Sequence, residues 1–108
     1  MKISLAKSSP LSQTNFTYGV ATAAFQIEGA AESRRPCIWD KFCATPDKIK
    51  DSSNGLEACD HFNRWEQDLA LIESLEVDAY RFSVSWPRVI THSGELDPKG
   101  VAFYVELL

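Results

Sequence analysis

In the run "VDAYRFSVSW", Tyr80, Phe82, Val84 and Trp86 alternate with Ala79, Arg81, Ser83 and Ser85. Period-2 alternation predicts a β-strand whose two faces meet different surroundings, ended by Pro87. Before it, Phe62, Trp65, Leu69 and Ile72 recur at steps of three and four, with Leu75 continuing the stripe. That spacing predicts a helix from about Glu57 to Glu76, with Trp65 in its core face. Arg64 and Asp68, four apart, are expected to pair on its wet face. Further upstream, Phe16 to Phe25 reads as a strand with Phe16, Tyr18 and Val20 on one face. Near the end, "LDPKGVAFYVELL" opens a helix with Asp97 as N-cap and Pro98 at the first helical position. Val101, Tyr104 and Leu108 form its expected apolar stripe.

Two stretches lack periodicity. Residues 1–15 read as a loose arm, leaving 16–108 as the folded part. Residues 29–57, rich in Pro, Asp, Ser, Asn and Gly, read as a long loop, and long loops in compact domains are usually functional. The order is therefore strand, loop, helix, strand, loop, helix. Such alternation predicts an α/β fold with a parallel sheet and helices packed on it. The polar face of the second strand refines this. A doubly wound sheet would cover that face with apolar helices, whereas a closed barrel can turn it toward a site in its interior. A guanidinium there keeps its charge, so a carboxylate is expected opposite Arg81.

Composition excludes several functions. The net charge of -4, with no basic run, argues against nucleic acid or an anionic membrane as a partner. No window approaches the roughly 20 apolar residues of a membrane span. The three apolar residues between Lys2 and Lys7 fall short of a secretory signal. Cys37, Cys43 and Cys59 give an odd count without a C-x-x-C pair, which predicts reduced thiols and a cytoplasmic location. Their spacing with His61 or His92 matches no common zinc pattern, so no metal is expected.

The candidate chemistry lies in "FTYGVATAAFQIEGAAE", where Gly, Ala and Thr give way to Gln26 and Glu28. Small side chains allow close approach of backbone or ligand, and the amide of Gln26 offers both a donor and an acceptor. Glu28 is expected to be structural, satisfying backbone donors or an arginine near the strand end. Trp39 is read as packing rather than cleft lining, Trp86 as core, and His61 as a surface or capping residue.

These segments resemble glycoside hydrolase family 1, the retaining β-glucosidases. "FTYGVATAAFQIEGA" is similar to the family's N-terminal signature, "ACDHFNRWEQDLALIESLEVDAYRFSVSWPRV" to the segment after it, and "GELDPKGVAFYVELL" to the next. The resemblance implies about two βα units from the N-terminal part of a (β/α)8 TIM barrel. It also implies hydrolysis of β-linked glycosides with retention and no cofactor. It assigns Gln26 to hydrogen bonds with the sugar, and Arg81 to a place beside the nucleophile, which it helps to keep ionised.

The resemblance has gaps. Cys37 stands where Ser is common, Asn63 where His is common, and Glu76 where a helix-ending Gly is typical. The two catalytic glutamates, carried by the family in Asn-Glu-Pro and Glu-Asn-Gly contexts, have no counterpart here, since no Glu of this sequence has an Asn beside it. The expected partners are thus a small β-glycoside and the remainder of the barrel. Alternatives are an inactive remnant or sugar-binding product, and a phospho-β-glycosidase.

Overall fold

A computed structural model describes residues 4–108. Two short strands, β1 (Gly19–Ala21) and β2 (Ala79–Arg81), pair in parallel with Gly19 opposite Ala79, Val20 opposite Tyr80 and Ala21 opposite Arg81. Their closeness explains the small residues. A Cβ on Gly19 would stand 3.0 Å from the Ala79 carbonyl oxygen and 3.4 Å from its Cβ. The ladder is extended at both ends. The Tyr18 carbonyl accepts the Asp78 and Ala79 N–H groups at 2.8 and 3.1 Å, and Thr22 N–H donates to the Arg81 carbonyl at 3.0 Å. The Asp78 carboxylate returns a bond from Tyr18 N–H at 2.8 Å.

Between the strands run α1 (Ala24–Ile27), α2 (Ile38–Ala44) and α3 (His61–Ser74); after them come α4 (Trp86–Val89) and α5 (Pro98–Leu107). The first expected strand therefore stops early. Its last three residues leave the ladder, and the backbone turns at Ala23 into α1, so Gln26 stands on a helical turn. The second strand is also shorter than the alternation suggested. Residues 82–85 find no ladder partner among the described residues, and Pro87 lies in the first turn of α4. There its missing N–H costs nothing.

The expected long loop contains α2, whose seven residues are too few to show a stripe. Asp40 closes its first turn by accepting Cys37 N–H at 2.7 Å. Helix α3 begins at His61 because Asp60 is left-handed, and after Leu75 the chain reverses through Glu76, also left-handed at φ 52°. Gly would avoid a cost of about 1 kcal/mol there. In the first fifteen residues, Ser9 caps a 3-10 turn over Pro10–Ser12, and the Tyr18 hydroxyl donates to the Leu11 carbonyl. Residues 1–3 of the expected arm lie outside the described residues.

The core lies where α5 meets α4. Val89, Phe103 and Tyr104 are buried, with Phe62, Trp65, Phe82, Ile90, Val101 and Leu107 packed against them. Phe103 sits 4.7 Å from Phe62 and 4.9 Å from Tyr104, ring to ring. The N-cap of α5 forms as expected, with Asp97 accepting Lys99 and Gly100 N–H at 2.9 and 3.1 Å. Gly100 is required by contact, because a Cβ there would come within 2.0 Å of the Arg88 carbonyl oxygen.

Several single residues depart from expectation. Leu108 and Leu75 are exposed rather than part of a packed stripe, and Trp86 is 64% exposed rather than core. His61 is 3% exposed, not on the surface, and its Nδ1 lies 2.6 Å from Asp68 Oδ2. That contact takes the carboxylate expected to pair with Arg64, which turns instead to Gln67 at 3.3 Å.

Candidate functional site

Parallel strands put the chemistry where their C-terminal ends meet the following turns. Arg81 ends β2 on the same face as Ala21, and it is exposed. None of the ion pairs among the described residues includes it. Gln26 follows β1 by five residues on α1, also exposed. It lines a cavity of about 320 Å³ with Ala23, Phe25 and Trp39. A second cavity, of about 240 Å³, extends from Gln26 and Phe25 to Asn54 and Gly55. A further cavity, of about 530 Å³, lies between the 32–36 loop and the start of α5, and neither Gln26 nor Arg81 lines it.

Trp39 belongs to the Gln26 cavity wall as well as to packing. It is 52% exposed, with Phe25 at 6.4 Å and Phe42 at 6.0 Å between ring centroids. An indole face beside an amide is the combination that binds a sugar ring through its C–H face and its hydroxyls at once. The helix bearing Trp39 is held in place by a two-pronged pair. Arg34 donates to both Asp40 oxygens, at 2.7 and 2.9 Å, and its guanidinium lies 5.8 Å from the centre of the Phe25 ring. The Arg34 hydrogen bonds, with lesser help from Cys37, hold the Asp40 carboxyl well below the usual carboxylate range.

Two residues beyond Gln26 the surroundings invert. Glu28 is 4% exposed and Arg88, on α4, is 2% exposed. Arg88 Nε donates to Glu28 Oε2 at 2.9 Å, Nη1 to Ser33 Oγ at 2.8 Å and Nη2 to the Gly29 carbonyl at 3.0 Å. The Tyr104 hydroxyl donates to Glu28 Oε1 and accepts Ser85 N–H at 2.7 Å. Phe62 covers the guanidinium at 4.0 Å. Burial, and then the bond to Glu28, push the Tyr104 phenol upward from its ordinary range. The structural role expected for Glu28 is therefore the one observed. Arg88 and Tyr104 were not anticipated as its partners. The only sequence signal was an arginine one residue after a strand-ending proline.

The description "Glycosyl hydrolase family 1" belongs to the family model that matches residues 10–108. This chain belongs to that family. A β-glucosidase of Agrobacterium sp. (strain ATCC 21400) is 52% identical over 97 residues, which cover 87% of this chain and 21% of the relative. An aryl-phospho-β-D-glucosidase, BglC, of Bacillus subtilis (strain 168) is 44% identical over 97 residues, 87% of this chain and 20% of the relative. The crystal structure of the family 1 β-glucosidase from Exiguobacterium antarcticum B7 superposes with a TM-score of 0.83 at 47% identity, over 88% of this chain and 22% of that one. The chain thus spans about a fifth of the length of the relatives it matches. Its fold is the α/β arrangement of the start of a family 1 TIM barrel: the alternation of elements predicted the α/β order, and the resemblance the barrel.

Proposed function

We propose that these residues are the N-terminal part of a β-glucosidase-type hydrolase that cleaves the O-glycosyl bonds of β-glycosides with retention of configuration. The observation that carries this reading is the cavity shared by the exposed amide of Gln26 and the half-exposed indole of Trp39. Gln26 binds hydroxyls of the sugar, and Arg81 stands beside the nucleophile and favours its ionised form. Two carboxylates about 5–5.5 Å apart are needed for retention. Glu28 cannot serve as one, because its carboxylate is sealed against Arg88 and Tyr104. Both glutamates therefore come from polypeptide outside these 108 residues, and the 108 residues alone are inactive. No cofactor enters the reaction. The three free thiols favour a reducing, cytoplasmic location.

The test replaces the matching segment of the Agrobacterium β-glucosidase with residues 10–108. The chimera is expected to hydrolyse a chromogenic β-glucoside, and Gln26→Ala within it to lower kcat/KM about 100-fold, the loss of roughly two hydrogen bonds. The 108-residue chain alone is expected to show no turnover. An active chimera indifferent to Gln26→Ala would refute the role of Gln26. Preference for the 6-phosphorylated glucoside would replace the substrate class with that of a phospho-β-glycosidase.

A further inference from the structure

Helix α1 is a single turn of four residues, too short to hold its own orientation in water. It is instead anchored at both ends, and both anchors come from the chain that follows Arg81. At its N-terminal end, Ala24 N–H donates to Ser83 Oγ at 2.8 Å. At its C-terminal end, Glu28 N–H donates to the Ala24 carbonyl at 2.9 Å, while its carboxylate takes Arg88 and Tyr104. Tyr104 also binds Ser85 N–H, so one hydroxyl joins α5, the turn before α4 and the residue after α1. Gln26 lies between the two anchors.

Stability alone is a poor reason for this buried charge. Well-packed apolar residues of similar volume often serve as well as a buried ion pair. Hydrogen bonds to charged groups add direction, which apolar packing lacks. The direction fixed here is that of the α1 turn relative to the 81–88 segment. We propose that Glu28, Arg88 and Tyr104 are positioning residues, a clamp that sets the Gln26 amide relative to Arg81; this rests on the sugar-binding reading of Gln26.

The test uses the chimera that carries residues 10–108 in the Agrobacterium β-glucosidase, and the variant Tyr104→Phe. This change deletes the hydroxyl but keeps the ring stacked on Phe82 and packed on Phe103. Glu28→Ala would instead leave the Arg88 charge buried without its partner and is expected to destabilise the whole fold, which would blur any effect on Gln26. Tyr104→Phe is expected to lower kcat/KM for an aryl β-glucoside about 10-fold. In a Gln26→Ala background the same change is expected to cost less than about 2-fold, because the clamp acts through Gln26. Equal penalties in both backgrounds, or no penalty in either, would overturn the proposal. If Gln26→Ala alone leaves kcat/KM unchanged, the sugar-binding reading fails. The clamp is then decided by the crystal structure of Tyr104→Phe. A displaced α1 turn supports it, and a turn unmoved relative to β2 refutes it.

Discussion

Glu28 and Gln26 stand two residues apart in opposite surroundings. Glu28 points into the protein, where both carboxylate oxygens are engaged by side chains from distant parts of the chain. Gln26 points outward, and its side-chain amide makes no hydrogen bond among the described residues. The same contrast separates Arg88 from Arg81. One guanidinium is saturated with partners and covered by an aromatic ring, while the other is exposed and belongs to no described ion pair. A short stretch of chain can thus divide its polar groups into those that hold the fold and those that remain available to bind. In each pair the saturated group is the structural one.

Breaking the saturated side should have the largest effect. Glu28→Ala is expected to cost about 3–5 kcal/mol, since it leaves a buried charge unpaired. Urea denaturation of the chimera checks this, and a loss below about 1 kcal/mol would remove the contrast. Gly100→Ala attacks the same region by volume. Its Cβ would collide with the Arg88 carbonyl, and a loss of about 1–3 kcal/mol is expected by the same measurement.

The pH response sharpens the comparison. Asp40 has a depressed pKa in the folded protein, so its stabilising contribution is fully present above its ordinary value of 3.8 and is lost as pH falls toward the folded value. Asp40→Asn is expected to flatten the fall in stability below pH 4. Tyr104 is raised, so its contribution is present below 10.0, its ordinary value, and is lost as pH climbs beyond it. Tyr104→Phe should flatten the alkaline limb, read by thermal melting between pH 9 and about 11. The smallest effect on stability belongs to Gln26→Ala, expected within about 0.5 kcal/mol of the parent while activity falls about 100-fold.

The α/β order was legible because long periodic runs survive in any context: the stripe of α3, the alternation into β2 and the Asp97–Pro98 start of α5 all mark real elements. Strand ends were not legible. Alternation continues through Val84 and Trp86, although the ladder ends at Arg81, because side chains alternate in any extended chain while a ladder needs a partner. Helix α2 was hidden by its length, and His61 by its place in a first turn beside Asp60. The motif singled out Gln26, and the structure leaves its amide exposed beside Trp39. The Glu28–Arg88–Tyr104 knot could not be read, because its members are 60 and 76 residues apart and only the folded chain brings them together.

The most direct measurement is a crystal structure of the chimera, residues 10–108 in the Agrobacterium β-glucosidase, with a glucoside analogue bound. The account predicts the Gln26 amide within hydrogen-bonding distance of a sugar hydroxyl, and the Arg81 guanidinium beside a glutamate from a later strand. A sugar held elsewhere, with Arg81 in solvent and no carboxylate near it, would contradict it.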